Sequence, residues 1–224
     1  MNGVRPRARC NVCRAPGNSD GASLLELMFA VSMSATLVGI SVPAVAHALD
    51  EWRTVAAARY VAARIGSARL DAVRHSRATA LRFEVARGDG PADGDGGGSA
   101  ASAGRDYAFV PVADGNGNGV RSSEIGDGVD PAIGRPERLR DLFPGVRFEL
   151  MSDAPDADGN RGTGPDGVRI GGAQILTMSA DGTATPGTLY IRGRRSQYAV
   201  RVLGVTGRTR MLQYQAGQGT WINR

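Results

Sequence analysis

The sequence predicts an α+β protein in which a long N-terminal helix packs on a C-terminal antiparallel β-sheet domain. Three features predict this architecture. Residues 24–49 are almost wholly apolar, residues 50–77 carry apolar side chains at helical spacing, and short segments of alternating polarity follow from residue 80. We therefore expect a helix whose first half is transmembrane and whose second half is amphipathic, followed by a half-buried sheet.

The apolar run contains one carboxylate. The run exceeds the roughly 20 residues that a helix needs to cross a hydrocarbon core. Glu26 lies inside it, where a charge costs about 2.5–3.5 kcal/mol at the centre of a span and less near an end. A charge kept in an apolar helix needs a partner, so Glu26 is a candidate functional residue. Four arginines precede the run and predict, by the positive-inside rule, that the chain beyond Leu49 lies outside the cytoplasm.

The residues before and within this run resemble a known signal. Gly21 is followed by two small residues, two leucines and Glu26, a pattern similar to the class III signal of type IV pilins and type II secretion pseudopilins. The resemblance implies that a prepilin peptidase cuts after Gly21 and methylates the new amino terminus at Ala22. It also implies that Glu26 serves filament assembly and that Pro43 is a helix-bending proline. The segment departs from the usual pattern in having Ala-Ser where Phe-Thr is typical, and in its longer leader.

Two other interpretations of the same stretch are open. The run could be an ordinary secretory signal cut after Ala48, or a generic single-span anchor. Against a secretory signal, the run is longer than the usual core of roughly 7–15 apolar residues. Neither alternative gives Glu26 a role, so the prepilin interpretation is favoured.

Composition limits what the domain can rely on. Every basic residue other than histidine is arginine, and loss of the leader lowers the formal charge from +5 to +2 because it removes four arginines and Asp20. Cys10 and Cys13 form a single CxxC within that leader, which is at best half of a zinc site. The processed domain is therefore expected to fold without disulfides.

Three further segments point to one subgroup. Residues 62–84 (AARIGSARLDAVRHSRATALRFE), residues 178–192 (MSADGTATPGTLYIR) and the Gly-Arg-Thr-Arg of residues 207–210 resemble the GspH/FimT family of type II secretion minor pseudopilins and type IV minor pilins. The resemblance implies a type IV pilin-like fold and a single-pass inner-membrane protein with a periplasmic C-terminal domain, which later joins a pseudopilus or pilus. The implied partners are other pseudopilins or pilins, the prepilin peptidase and the inner-membrane assembly platform.

The predicted organisation has four parts. Residues 1–21 form the leader, 22–49 the transmembrane half of the helix, 50–79 its periplasmic amphipathic half, and 80–224 the β domain. The Gly/Asp-rich segment 87–105 has no apolar period and is predicted to be a flexible loop. Turn residues separate eight strand candidates, which are residues 80–85, 107–112, 146–151, 168–170, 175–179, 188–192, 198–203 and 208–214.

One loop is similar to the start of a calcium site. Asp114, Asn116 and Asn118 occupy alternate positions before Gly119, as in a calcium loop, and many GspH/FimT sequences have a similar loop. The acid expected at the twelfth position is displaced, because Glu124 comes one residue early. A Gly/Asn turn between strands explains the same residues without metal, so calcium and a plain turn both stay open.

Two functions are predicted, and catalysis is not among them. No nucleophile–base set, metal-binding His pair, P-loop or dinucleotide fingerprint is present, so neither an enzyme nor a firm cofactor is expected. The first function is a structural subunit of a type II secretion pseudopilus. The second is a minor type IV pilin that binds DNA through Arg208 and Arg210, because residues 174–224 hold seven arginines and one acid, Asp181.

Processing at Gly21 is directly testable. Gly21→Asp should leave the leader attached, and Gly21→Ala should slow its removal, because the resemblance assigns the cut to the Gly21–Ala22 bond. Amino-terminal sequencing of the purified chain should find methylated Ala22. A terminus at Leu49 would instead identify an ordinary secretory signal.

Overall fold

A computed structural model of the chain describes residues 23–86 and 105–224. The chain divides into two compact units, Met1–Ala44 and Val45–Arg224. The described residues form an N-terminal helix and two antiparallel sheets. The expected α+β class, with the helix preceding the sheets, is therefore confirmed.

The N-terminal helix α1 spans Leu24–His75. It begins where the Ser23 hydroxyl oxygen accepts the backbone N–H of Glu26 at 3.2 Å, a side-chain cap on the first turn. It ends in a Schellman motif, in which Arg77 N–H donates to the Ala72 carbonyl and Ser76 N–H donates to the Val73 carbonyl. Ser76 holds the left-handed position of this motif, with φ +49°. The helix thus ends four residues before the end of the amphipathic half predicted at 50–79.

The predicted membrane topology requires a correction. Within the described residues, no helix combines the length and apolarity needed to cross a membrane. Glu26 and the hydroxyl residues of the first half of α1 reduce its apolarity; the Ser32, Ser34 and Thr36 hydroxyls donate to helix carbonyls one turn back. This finding contradicts the expected transmembrane half at 22–49 and the expected single-pass inner-membrane location.

The remaining elements follow α1 as short strands with two small helices between them. In chain order they are β1 Thr79–Val85, β2 Tyr107–Ala113, α2 Ser122–Gly126, β3 Glu137–Arg138, α3 Leu139–Leu142, β4 Arg147–Phe148, β5 Val168–Arg169, β6 Ile175–Met178, β7 Gly187–Arg192, β8 Gln197–Leu203, β9 Arg208–Gln215 and β10 Thr220–Asn223. All eight strand candidates contain an observed strand, although β4 and β5 are shorter than expected. β3 and β10 were not predicted. Of the predicted flexible loop, residues 87–104 lie outside the described part of the chain.

The strands form two antiparallel sheets. The first has the order β3-β2-β1-β6, and the second has the order β10-β9-β8-β7-β4, with β5 also paired to β7. In the first sheet, β1 joins partners distant in sequence, because Thr79 lies opposite both Ala113 and Met178. In the second, β7 to β10 form a meander of neighbouring strands joined by short turns.

The core lies where the Val45–His75 part of α1 meets both sheets. The helix contributes mainly small side chains, which are Ala57, Ala58, Val61, Ile65, Ala68 and Ala72. The sheets contribute larger ones, including Phe83, Phe109 and Phe148, whose ring centroids lie 5.6–6.3 Å apart. Since a helix lined by alanine presents a shallow surface, aromatic and branched side chains from the strands can fill the space against it.

A hydrogen-bonded junction joins α1 to the β7–β8 turn. The Asp50 carboxylate accepts the backbone N–H groups of Arg194 and Arg195 at 2.9 and 3.0 Å. The buried Thr54 hydroxyl accepts the Ser196 hydroxyl at 2.8 Å. A Cβ at Gly193 would lie 2.1 Å from Thr54 Oγ1, so the close approach of this turn to α1 requires glycine there.

Two glycine substitutions in α1 should change the free energy of unfolding in opposite directions. Ser76→Gly should raise the free energy of unfolding by about 0.5–1 kcal/mol, because glycine adopts the left-handed conformation without the steric cost that serine incurs. Ser67→Gly, at an exposed position within the same helix, should lower it by about 0.5 kcal/mol through lost helix propensity. Chemical denaturation of both variants measures the difference, and equal effects would contradict the Schellman assignment.

Candidate functional site

The predicted processing and assembly residues lie at the start of the chain. Gly21 and Ala22, the predicted cleavage and methylation sites, lie outside the described residues. Pro43 is within α1, which continues as helix on both sides of it. Glu26 is exposed in the first helical turn.

Glu26 has a local role that the sequence prediction missed. Ser23 and Glu26 have the spacing of a capping box, and the Ser23 hydroxyl accepts the Glu26 N–H. A carboxylate in the first turn also interacts favourably with the helix dipole. The Ser-x-x-Glu spacing could have predicted this cap. The cap uses the backbone N–H of Glu26 and leaves its carboxylate exposed, so the carboxylate can contact another chain.

The predicted calcium loop is closed by backbone donors. Oδ1 of Asp114 accepts the N–H groups of Asn116 and Gly117 at 3.1 and 2.7 Å, and Oδ2 accepts that of Gly119 at 2.7 Å. Gly117 and Gly119 have φ of +80° and +90°, conformations that suit glycine and turn these N–H groups inwards. The interior of the loop therefore presents N–H donors around one carboxylate.

Other side chains at this loop have protein partners as well, including Asp130, which was not among the predicted calcium residues. The buried Asp130 carboxylate accepts the N–H groups of Gly115 and Arg121 at 3.1 and 3.0 Å. Glu124 Oε1 accepts the side-chain amide of Asn118 at 2.7 Å. Among the described residues, no group of three or more His, Cys, Asp or Glu side chains is arranged to hold a metal ion. This arrangement closes the turn through hydrogen bonds within the chain, and calcium binding by the loop stays a prediction.

Several basic residues lie together on one face of the second sheet. The side chains on the face opposite α1 are here called the outer face: Thr188, Tyr190, Ala199, Arg201, Arg208, Arg210, Leu212, Tyr214 and Trp221. Strand register defines it, since Thr188 lies opposite Arg201, and Arg201 lies opposite Arg210. Across the sheet Arg169, Thr188, Arg201 and Arg210 thus form a row over four strands.

The acidic segment 153–160 covers part of this outer face. The Ala157 N–H donates to the Tyr190 hydroxyl at 2.8 Å, and the Trp221 indole N–H donates to the Pro155 carbonyl at 2.9 Å. Asp156 is the centre of the segment: its carboxylate accepts the N–H groups of Asp158 and Asn160 at 3.0 and 2.8 Å. Arg169 Nη1 lies 3.3 Å from the same carboxylate.

The contacts of Asp156 alter its acidity. Burial by itself raises the pKa of this carboxyl, but hydrogen bonds from Asn160 and Asp158 and the nearby Arg169 outweigh burial and hold the pKa below its ordinary value. Burial raises the pKa of the Tyr190 hydroxyl. The Arg169 guanidinium lies 5.2 Å from the centre of the Tyr190 ring. These contacts hold residues 153–160 against the sheet, where the segment forms one wall of a cleft.

An open cleft of about 550 Å³ lies between this wall and the sheet. Its lining includes Asp158, Thr188, Arg201 and Leu203. Arg201 is paired with Asp158, whose side chain is 63% exposed, so the ion pair stands at the surface. The cleft can therefore offer a cation to an anionic group that displaces Asp158.

Arg208 and Arg210 lie beside this cleft. Both are exposed, and among the described residues neither side chain has an ion-pair or hydrogen-bond partner. The turn before β9 requires glycine at the first position of the Gly-Arg-Thr-Arg motif. Gly207 has φ +60°, and a Cβ there would lie 2.5 Å from the Gly182 carbonyl oxygen and 2.8 Å from Arg69. The motif thus combines one residue required by the turn with two outward cations.

The sequence predicted Arg208 and Arg210 as binding residues but did not reveal that Arg201 and Arg169 share their face of the sheet. Arg201 opposite Arg210 follows from strand register, which a single sequence does not reveal. The role of Asp156 could have been predicted, because residues 156–160, Asp-Ala-Asp-Gly-Asn, have a composition typical of Asx turns. Comparisons of the chain with protein-family models, curated proteins and solved structures gave no match.

Asp156 and Asp158 give a matched test of the wall. Asp156→Asn should lower the free energy of unfolding at pH 7 by about 1–3 kcal/mol, because two backbone donors lose a charged acceptor. Asp158→Asn should change it by less than about 0.5 kcal/mol, since that ion pair is exposed.

The pH dependence follows from the lowered pKa of Asp156. A depressed pKa stabilises the fold above the ordinary value of about 3.9, and this stabilisation is lost as the pH falls through the lower folded value. The unfolding free energies of the parent chain and Asp156→Asn should therefore converge below about pH 4. A constant gap from pH 7 to pH 3, measured by urea denaturation, would contradict the assignment.

Proposed function

We propose that the chain is a minor pseudopilin, a structural subunit of a type II secretion pseudopilus that assembles through α1. The observation that supports this proposal is an apolar seam on the solvent side of α1, opposite the face that packs on the sheets. A solvated helix in a globular protein ordinarily turns polar side chains outwards. Here the outward side of α1 also carries exposed Leu49, Trp52, Leu70 and Val73 among its polar residues, and a partner that covers them would remove apolar surface from water.

The seam has a regular spacing. From residue 45 its members follow one another at alternating intervals of four and three residues: Val45, Leu49, Trp52, Ala56, Arg59, Ala63, Gly66, Leu70 and Val73. This 3.5-residue period keeps one line of side chains directed at a neighbouring helix. Trp52 is 70% exposed, and no atom would lie within 4 Å of a Cβ built at Gly66. Large apolar side chains lie towards both ends of the seam, while its middle holds Arg59 among the small residues Ala56, Ala63 and Gly66, which allow a second backbone to approach.

The Met1–Ala44 unit supplies a second apolar surface. Among its described side chains the large hydrophobic residues are all well exposed, which are Leu24, Leu25, Leu27, Met28, Phe29, Val31, Met33, Leu37 and Val38. These side chains surround the helix, so a single flat partner would leave many of them in water. A bundle of neighbouring subunits would bury them on several sides, which suits a subunit of a helical filament.

Glu26 has a consistent place in this proposal. Its backbone N–H is capped within the chain, while its carboxylate is exposed near a helix start. In an assembled filament that carboxylate would be desolvated by apolar neighbours and would require a cation. The new amino terminus at Ala22, released by the prepilin peptidase on a neighbouring subunit, is the cation that we propose.

A second candidate function is a minor type IV pilin that binds DNA during uptake. One observation favours it: Arg208 and Arg210 are exposed on the same side of β9 and lack partners among the described residues. Guanidinium groups so placed can contact successive phosphates. The gene neighbourhood, secretion components or competence components, separates the two candidates.

Replacement of Trp52 tests assembly through the seam. Trp52→Lys should leave the fold intact, because the side chain is exposed, and should reduce incorporation into filaments by about tenfold or more, since an indole can no longer be buried between helices. Filaments are sheared from cells, sedimented and quantified by immunoblot, while thermal unfolding of the purified chain checks the fold.

Leu142→Lys is the matched control for this experiment. Leu142 is also exposed and apolar but lies on α3 and is not a member of the seam. It should incorporate as the parent chain does. Normal incorporation of Trp52→Lys, or an equal loss with Leu142→Lys, would remove the support for the proposed assembly surface.

A further inference from the structure

The open cleft beside residues 153–160 has a buried hydroxyl in its lining. The cleft measures about 550 Å³, a size typical of small-molecule sites. Thr188 lines it and is only 7% exposed. Among the described residues, the Thr188 hydroxyl has no hydrogen-bond partner, yet it keeps contact with the solvent of the cleft. Because a polar group at this depth ordinarily has a partner, the hydroxyl is available to a ligand.

Strand register places two cations beside this hydroxyl. Thr188 lies opposite Arg201, and Arg201 lies opposite Arg210, so all three side chains leave the same face of the sheet. Two like charges directly opposite each other across a strand pair are unfavourable. An anion between the two guanidinium groups would remove that cost. Together with the hydroxyl, it would receive donors from the three neighbouring strands β7, β8 and β9.

The acids of the cleft leave these two cations only weakly compensated. The Asp156 carboxylate is paired with Arg169 and accepts two backbone N–H groups of its own segment, so it is not free to pair with a second arginine. Asp158 is the partner of Arg201, but this ion pair is largely exposed and therefore weak. Arg210 is exposed and, in the part of the chain that the structure describes, has no partner. An incoming anion thus competes mainly with Asp158.

We propose that the cleft binds a small molecule that carries a dianionic phosphate monoester. The three terminal phosphoryl oxygens accept from the Thr188 hydroxyl and from the Arg201 and Arg210 guanidinium groups, and the two negative charges match the two cations. The phosphoryl group displaces the Asp158 carboxylate from Arg201. The organic substituent lies along the cleft against Leu203, which adds apolar surface to the lining.

The set of donors favours a phosphate monoester over other anions. A carboxylate has two oxygens and a single charge, so it leaves one of the three donors unpaired, as Asp158 does in the ligand-free chain. A phosphodiester also has a single charge and only two terminal oxygens. A monoester satisfies the hydroxyl and both guanidinium groups at once. The proposal is independent of assembly through α1, since the cleft and the seam have no residue in common.

Binding is tested by isothermal titration calorimetry on the full chain at about pH 8, where a phosphate monoester is a dianion. The probes are phenyl phosphate, inorganic phosphate and the diester dimethyl phosphate. Phenyl phosphate should bind about tenfold more tightly than dimethyl phosphate or better, because the diester loses a charge-assisted contact. It should also bind more tightly than inorganic phosphate, since its ring covers Leu203. Equal affinity of monoester and diester would overturn the proposal, and tighter binding of inorganic phosphate would assign the cleft to the free ion instead.

Two substitutions at Thr188 separate binding from folding. Thr188→Val keeps the shape of the side chain and removes the hydroxyl, so affinity for phenyl phosphate should fall by about tenfold or more. Thermal unfolding should find this variant no less stable than the parent chain, because the hydroxyl has no partner to lose. Thr188→Ser keeps a hydroxyl and should bind within about twofold of the parent. Unchanged affinity in a folded Thr188→Val chain would contradict the proposed role of the hydroxyl.

Charge substitutions at exposed positions provide a test that does not depend on the buried threonine. Asp158→Asn removes the internal competitor, so phenyl phosphate should bind about two- to fivefold more tightly. Arg210→Gln should weaken binding by about tenfold or more. Arg53→Gln, an equal change of charge at an exposed position on α1, should leave the affinity unchanged. Weaker binding by Asp158→Asn, or equal losses with the two arginine variants, would show that phosphate meets only a diffuse positive surface and would overturn the proposal.

Discussion

The packing of the alanine-rich face of α1 on both sheets is the contact on which the rest of the structure depends. Ala57, Ala58, Ala68 and Ala72 are nearly or fully buried and leave room for the strand side chains opposite them. Each sheet alone would expose one apolar face, and the helix covers both. The Asp50 junction to the β7–β8 turn fixes the helix relative to the second sheet. A larger side chain on this helix face would separate the two sheets from their common support.

The sequence was most informative where one period dominates a long segment. The alanine pattern of α1 and the alternating polarity around Phe83 predicted the helix and the first strand, because burial on one face dictates both. The Asp114 loop was harder to interpret, since glycine at 117 and 119 serves a metal loop and a self-closed turn equally well. Residue spacing alone does not specify the backbone angles that direct the N–H groups of this loop at the Asp114 carboxylate.

Features created by contacts between distant segments could not be predicted from residue types. Arg208 and Arg210 alternate along one strand, so their common face was readable. That Arg210 lies opposite Arg201 depends on a two-strand register that no local pattern encodes. The consequence is a molecule with two separate surfaces. An apolar seam on α1 suits assembly, and Arg201, Arg208 and Arg210 lie together on the outer face of the second sheet.

The exclusive use of arginine determines how the fold responds to alkali. A guanidinium keeps its proton throughout the accessible pH range, so pairs such as Arg64–Glu137 and Arg169–Asp156 survive where lysine would be discharged. Burial raises the pKa of the Tyr60, Tyr107 and Tyr198 hydroxyls. A raised phenol pKa contributes stability that is complete below the ordinary value of about 10 and is lost only above it. Ionisation of these phenols is therefore expected to destabilise the fold at high pH.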